Sequence, residues 1–301
     1  MNRFQKETRN IDQALKWLVP PIALLALIAA LAGLWPGEGS PYSLTNFRGE
    51  AVTINARGLY YWDTVSAAAQ MQANDLVTLL LGVPLLLIAL RLTGRGSLRG
   101  RLVLAGTLGF VLYTYITMCF GAAYNRLFLV YVALFGLSLY AFVLNLLAVD
   151  LARLPAHFSP NLPRRGIVGL LFGVGGFLLL AWLGRIAATW SSAQPPALEN
   201  VTSLFIQAMD LAVIVPLCFV AGWLLLRGAA WGYLLASLAL FKFLTLGLAV
   251  SLMGLNMLRV GVAVSPVELG VFPAIALANL VMTVLLLRNI SESTHKEFVA
   301  Q

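Results

Sequence analysis

The chain has 301 residues, of which 60% are hydrophobic and only 11% charged, and its mean hydropathy is +0.87. Soluble domains carry about 25% charged residues, so this composition indicates an integral membrane protein. The net charge of +8 does not predict nucleic-acid binding, because the basic residues lie mostly in short loops, where they set membrane orientation. The two cysteines and two histidines predict neither a disulfide framework nor a metal site.

Eight apolar stretches follow one another, each long enough to cross about 30 Å of hydrocarbon. The first, 17–35, follows a polar and basic segment over 1–16. It exceeds a signal-peptide core and lacks a clear cleavage site, so we interpret it as a retained helix. The other predicted helices span 72–91, 101–119, 126–149, 166–185, 204–226, 230–254 and 266–287.

The longest polar interval, residues 36–71, separates the first two helices. Two β-like runs around turn residues, 47–54 and 57–62, predict a small hairpin there. Either Asp63 or Thr64 is placed to cap a short helix, 65–71, that leads into the second predicted span.

Three consecutive aromatic residues, Tyr60, Tyr61 and Trp62, lie near the end of this interval. They predict a belt of anchors at the level of the lipid headgroups. The alternative is a lid that contacts a substrate.

The basic residues are distributed unevenly between the two sides of the membrane. With the N-terminus inside, 14 of the 20 basic residues lie in cytoplasmic segments, five lie outside, and Lys242 lies within a helix. This bias predicts eight helices with both termini cytoplasmic.

A five-residue motif occurs twice. The stretch 72–76, Gln-Ala-Asn-Asp-Leu, returns 135 residues later at 207–211 as Gln-Ala-Met-Asp-Leu. Each copy opens an apolar run that contains a proline and ends at an arginine, Arg91 in the first copy and Arg227 in the second. The pattern predicts an internal repeat, with a chance match in apolar sequence as the alternative.

Each half of the chain then contains four helices. Because that number is even, the halves have the same orientation, as in parallel repeats. We therefore predict an all-α membrane protein with two parallel four-helix repeats, 17–150 and 166–288. A cytoplasmic linker, 151–165, joins them, and a tail, 289–301, follows.

Lys242 lies about midway along the seventh helix. An ionisable group at the bilayer centre costs about 2.5–3.5 kcal/mol or more, so it is a functional candidate. Asp210 on the preceding helix is a feasible partner, either in a structural ion pair or in a site for an anionic headgroup or substrate. A proton-coupled carboxylate is a further alternative. Thr107 occupies the corresponding place in the first half, which favours one asymmetric site.

The repeated motif places an amide and a carboxylate three residues apart, on one helix face. Two such faces meeting between the halves would form a polar pocket open to the outside; alternatively, each aspartate anchors its helix at the interface. We predict a ligand-binding site lined by Gln72, Asp75, Gln207, Asp210 and Lys242.

Other polar and small residues predict contacts between helices. Helices 3 and 4 carry a polar and aromatic series that includes Tyr113. Asn145 and Asn279 are expected to form interhelical hydrogen bonds. Gly169 and Gly173 predict a close packing face, either internal or between protomers.

No nucleotide-binding, hydrolase, zinc or dinucleotide motif is present, so no cofactor is predicted. The stretches 123–132 and 207–211 resemble those of uncharacterised bacterial polytopic membrane proteins. The resemblance implies a multi-pass protein of the bacterial inner membrane and no particular activity.

The leading hypothesis for function is binding or translocation of a small molecule or lipid at the outward-facing site between the repeats. One alternative is an intramembrane enzyme on a lipid-linked substrate, with Asp75 or Asp210 as the acid or base. Another is a membrane subunit or sensor whose outer loop, 36–71, binds a partner. The expected partners are the bilayer, a small-molecule or lipid ligand, and a homo- or hetero-oligomer, but not nucleic acid.

Overall fold

The computed structural model describes residues 3–190 and 198–292. Eight helical spans in these residues are long and apolar enough to cross a membrane, which confirms the predicted all-α membrane fold. The elements in chain order are α1 Arg3–Leu34, β1 Tyr42–Thr45, β2 Ala51–Ile54, α2 Val65–Val77, α3 Val83–Thr93, α4 Leu98–Gly121, α5 Phe128–Leu147, α6 Arg164–Ala187, α7 Phe205–Met209, α8 Val215–Leu226, α9 Ala230–Arg259 and α10 Pro266–Arg288. The pairs α2–α3 and α7–α8 are each one span.

Both of these composite spans contain a π-helical turn, Thr78–Gly82 in the first and Asp210–Ile214 in the second. Each turn is followed by Val-Pro-Leu, with Pro84 or Pro216 at the start of the next helix. Proline has no N–H to donate and its ring crowds the carbonyl four residues earlier. In the preceding turn, the backbone hydrogen bonds therefore join residues five apart, which is the π-helical pattern. Such turns are frequent at functional sites.

The first helix begins at Arg3, well before the predicted start at residue 17. The basic N-terminal segment is helical because it packs on the bundle: Leu15 is buried, and Asp12 forms an ion pair of 2.7 Å with Arg101 of α4. Arg101 is buried too, in the first turn of α4.

The polar interval between the first two spans forms the predicted hairpin, but with a different first strand. Strand β1 pairs antiparallel with β2, with Tyr42 opposite Ile54. The stretch 57–62 contains no strand. Thr64 caps α2, since its hydroxyl accepts a hydrogen bond of 3.1 Å from the amide of Ala67.

We call the end of the bundle that carries this hairpin the loop end, and the opposite end the basic end. At the loop end the hairpin contacts the connection between α6 and α7. Asn46 donates to the Glu199 carbonyl at 2.8 Å, and Arg48 donates to the Val201 carbonyl at 3.1 Å. The two halves of the chain are thus joined outside the spans.

At the basic end, the segments that follow α5 and α10 pair with each other. The Ser159 amide donates to the Asn289 carbonyl at 2.8 Å, and the Ser291 amide donates to the His157 carbonyl at 2.7 Å. Glu292 then caps α4, and these hydrogen bonds lower its pKa although burial alone would raise it.

Helices α4 and α9 form the centre of the bundle, since each contributes to both hydrophobic clusters of the core. They approach closely at Gly106, where an added Cβ would lie 2.2 Å from Cβ of Phe241. At the loop end of the same helices, Asn256 donates to the Ala69 carbonyl at 2.8 Å, and Gly121 packs against the ring of Phe205.

The predicted internal packing through Gly169 and Gly173 is wrong. An added Cβ at either position would meet nothing within 4 Å in the described part of the chain, because both face away from the other helices. Close packing of α6 on α8 uses Gly175, whose Cβ would lie 2.7 Å from Cβ of Cys218, and Gly222. A contact between protomers through Gly169 stays a prediction.

Candidate functional site

Asp75 of α2 is buried beneath the loop end. Its Oδ2 accepts a hydrogen bond of 2.6 Å from the hydroxyl of Tyr60. Beside this hydrogen bond lies Gly33 of α1, where an added Cβ would be 1.9 Å from the same Oδ2 and 2.7 Å from the Tyr60 hydroxyl. The absence of a side chain at Gly33 therefore lets helix α1 cover the carboxylate.

Tyr60 is only 1% exposed, so its prediction as a headgroup anchor is wrong. Tyr61 and Trp62 are 39% and 58% exposed and fit that role. Burial raises the pKa of the Tyr60 hydroxyl, and the Asp75 carboxylate raises it further. The hydroxyl therefore stays protonated and serves as the donor to Asp75.

The residues just before α2 hold this arrangement in place. Asp63 is buried and its Oδ1 accepts 2.8 Å from the amide of Ala123, while Oδ2 has no partner among the described residues. Burial raises the pKa of Asp63 to about 6, although the Ala123 hydrogen bond opposes the shift. The loop and the connection after α4 are thus joined through a carboxyl group.

Asp210 begins the π-helical turn of the second composite span and is also buried. Its Oδ1 accepts 2.8 Å from the hydroxyl of Tyr113, on α4. Its Oδ2 accepts 2.9 Å from the indole N–H of Trp182, on α6. Both carboxylate oxygens therefore have neutral aromatic donors.

Lys242 lies in α9 and is 6% exposed. Its Nζ is 3.3 Å from the centre of the Tyr113 ring, a cation–π contact. In residues 3–190 and 198–292, Nζ has no hydrogen-bond partner and no ion pair within 4.0 Å. Tyr113 therefore joins Lys242 to Asp210, and the direct pair that the sequence suggested does not form.

The two glutamines of the repeated motif do not join either cluster. Gln72 and Gln207 are half-buried, and neither side chain forms a hydrogen bond within the described ranges. Of the five predicted site residues, the structure brings Asp210 and Lys242 together, with Tyr113 between them. Asp75 lies in a separate cluster, with Tyr60.

Thr107 lies 135 residues before Lys242, and its hydroxyl is satisfied within its own helix. Its hydroxyl donates 2.8 Å to the Val103 carbonyl in its own helix. The two halves therefore differ chemically at this position, in line with the single asymmetric site that the sequence predicts.

Two predicted interhelical hydrogen bonds have different outcomes. Asn145 donates 3.1 Å to the Arg101 carbonyl, from α5 to α4, as expected. Asn279 instead donates 2.9 Å to the Ile275 carbonyl in its own helix.

Sequence reasoning assigned Tyr60 to the headgroup belt and placed Tyr113 only in a general series of interhelical contacts. It assigned no role to Trp182. Their side chains could have indicated these contacts. A buried phenol or indole needs a hydrogen-bond acceptor, and an apolar bundle contains few acceptors. The two motif aspartates were the obvious acceptors.

Comparison with protein-family models, curated proteins and solved structures gave no match. The interpretation of function therefore depends on the geometry of this chain alone.

Proposed function

We propose that this protein binds a small molecule or lipid with an anionic group beside Lys242, and moves it across the bacterial inner membrane. The site lies between the two halves, and both termini are cytoplasmic in this proposal. The observation that carries it is that Nζ of Lys242 is buried and has no hydrogen-bond acceptor among residues 3–190 and 198–292.

An ammonium group has three N–H donors, and an aromatic face offers only one diffuse contact. Moving an unpaired charge into a protein interior costs several kcal/mol, whereas a desolvated cation–π contact returns about 2 kcal/mol. Lys242 therefore lacks a partner, and an anionic group of a ligand is the partner that suits it best. Tyr113 and Asp210 would flank that group.

Three sets of contacts support the predicted parallel repeat. Gly106 and Phe241 are 135 residues apart, equal to the motif offset, and they touch each other. Across a twofold axis, a residue on the axis meets its own equivalent. Gly106 and Phe241 meet this expectation.

Away from such an axis, a contact between two residues should recur between their equivalents. Asn256 contacts Ala69, and their equivalents are residues 121 and 204. Gly121 packs against Phe205, one residue from that position. The antiparallel pairing of 157–159 with 289–291 at the basic end is centred close to the same offset.

The π-helical turns support movement of a ligand. They lie in corresponding spans of the two halves, and Asp210 itself opens the second turn. Proline and π-helical turns are common causes of helix bending. A bend here would shift Asp210 relative to Lys242 and open a path to the loop end.

Cysteine accessibility tests this proposal without a known ligand. Cys119 and Cys218 are first replaced by serine and alanine, and Lys242→Cys is then treated from outside with an anionic, membrane-impermeant methanethiosulfonate. The controls are Ser43→Cys on the exposed β1 and Leu277→Cys on the lipid-facing side of α10.

We expect the thiol at 242 to react more slowly than the one at 43 but at least about tenfold faster than the one at 277, because ordered water must reach an outward-open site. A rate at 242 no higher than at 277 would mean a dry scaffold and would contradict the proposal.

A sensor or subunit is the second candidate, and one observation favours it. Tyr60, which belongs to the outer loop, hydrogen-bonds Asp75 inside the spans, so a partner that moves the loop would alter the bundle. Replacing residues 42–54 by a Gly-Ser linker should then abolish a crosslinked complex in membranes while the eight spans stay folded. If no such complex exists, the sensor proposal fails.

A further inference from the structure

A groove at the basic end runs between the end of α3 and helix α1. It has a volume of about 620 Å³ and is open on one side. Its rim carries three cations, Lys16, Arg91 and Arg95, and its floor includes Leu87 and Ile88. This size is within the usual range for small-ligand sites, roughly 300–1,000 Å³.

The three cations have no acidic partner among the residues that the structure describes. The acidic residues of α1 are already used: Asp12 binds Arg101 at 2.7 Å, and Glu7 binds Arg3 at 2.9 Å. Three like charges around one groove repel each other, so an anion in the groove would relieve that repulsion.

The position of Lys16 depends on the turn after α3. Gly94 has no side chain, and the Cε of Lys16 lies 3.6 Å from the place where its Cβ would be. The lysine therefore lies against the turn, and it lines the same groove as the two arginines.

The floor of the groove faces the lipid. Leu87 and Ile88 are 46% and 55% exposed, and they lie about one helical turn closer to the bilayer centre than Arg91. An apolar protein surface below a cluster of cations is complementary to a phospholipid, whose phosphate lies above its acyl chains.

We propose that this groove binds one phospholipid with an anionic headgroup. The phosphate contacts Lys16, Arg91 and Arg95, and one acyl chain lies along Leu87 and Ile88. This site is separate from Lys242, and the inference does not depend on the proposed function.

The second half supplies a matched control. Its corresponding arginine, Arg227, is already stacked, with its guanidinium 4.0 Å from the centre of the Trp223 ring. Arg227 and Arg288 lie at the same end of the bundle as Arg91 and Arg95 but outside the groove.

The test is native mass spectrometry of the full chain with an equimolar mixture of phosphatidylglycerol and phosphatidylcholine. Wild type should retain phosphatidylglycerol about tenfold better, since each basic residue near an anionic lipid contributes measurably. The pair Arg91→Gln and Arg95→Gln should remove that preference, whereas Arg227→Gln with Arg288→Gln should keep it.

Gly94→Leu fills the groove and pushes Lys16 off the turn, but it keeps the number of charges unchanged. Because Gly94 has an ordinary right-handed helical φ of −64°, leucine fits its backbone, and the preference should also fall. An unchanged preference in the Arg91 and Arg95 pair, or an equal loss in both arginine pairs, would overturn the proposal. Displacement of the lipid by millimolar inorganic phosphate would assign the site to free phosphate and would also overturn it.

Discussion

The two copies of the motif place an aspartate at corresponding positions, but the two carboxylates have different surroundings. Asp75 is covered by Tyr60 of the outer loop and by Gly33 of the first helix. Asp210 receives hydrogen bonds from Tyr113 and Trp182, which belong to two other spans.

Among the residues that the structure describes, a cation lies near the second carboxylate but not near the first. The ring that donates to Asp210 also contacts Lys242, whereas Thr107 at the matching place in the first half bonds its own helix. We infer that the first half uses its aspartate to fix the loop, and the second uses it beside a site. The same five-residue motif thus has different neighbours at its two occurrences.

The largest expected effect concerns the cover over Asp75. Gly33→Ala places a Cβ on the Asp75 carboxylate, and such overpacking should destabilise the protein by about 3 kcal/mol. Gly176→Ala on α6 is the control, because its Cβ meets nothing within 4 Å in the described chain, and it should be neutral or slightly stabilising. Thermal unfolding in detergent measures both, and equal stability of the two variants would refute the proposed close approach.

The second prediction compares the two tyrosines. Tyr60→Phe removes the one side-chain donor that the structure gives Asp75, and should cost about 2 kcal/mol, because a buried acceptor is left without its hydrogen bond. Tyr113→Phe should cost about half as much, since Trp182 still donates to Asp210 and the ring still contacts Lys242. Urea or thermal unfolding of both variants gives the comparison, and a larger loss for Tyr113→Phe would reverse the assigned roles.

The third prediction concerns Lys242 itself. Lys242→Met keeps the length of the side chain and removes an unpaired buried charge, so the protein should become more stable by about 1–2 kcal/mol. Thr107→Val, at the matching place, should change stability by less than about 1 kcal/mol. A clear loss of stability in Lys242→Met would indicate a structural ion pair instead.

The fourth prediction concerns how stability depends on pH, and it involves Asp63 in the outer loop. Since burial raises the pKa of Asp63 to about 6, from an ordinary 3.8, the folded state holds this proton more tightly than the unfolded chain. The resulting stabilisation is complete below about pH 4 and is lost as the pH rises through about 6.

Asp63→Asn keeps the acceptor for Ala123 and cannot ionise. Relative to wild type, the stability of this variant should rise by about 2 kcal/mol between pH 4 and pH 7, measured as unfolding temperature against pH. If the unfolding temperatures of wild type and Asp63→Asn changed with pH in parallel, Asp63 would have an ordinary pKa.

The sequence predicts the fold closely because membrane spans follow from hydropathy alone. The eighth span begins at Pro266 as predicted, and Thr64 caps α2 as its side chain and position suggest. The exception is α1, whose polar start is helical because Asp12 meets Arg101, a residue 89 positions away. Hydropathy contains no information on such distant partners.

The candidate site is less predictable, for the same reason. Lys242 and Asp210 are visible in sequence as charges in apolar runs, and the structure brings them near each other. Tyr113 could not be placed, because its role needs the ring to face α9 while the hydroxyl reaches the π-helical turn. The role of Gly33 could likewise not be predicted from the sequence, because only the three-dimensional structure shows which group occupies the space next to a glycine.

The most direct test of the central claim is an electron cryomicroscopy structure of the protein in lipid nanodiscs, examined beside Nζ of Lys242. The account predicts non-protein density at hydrogen-bond distance, about 3 Å, from the ammonium group. Direct contact of Lys242 with the Asp210 carboxylate in a dry, closed site would contradict the account and would make both residues part of the scaffold.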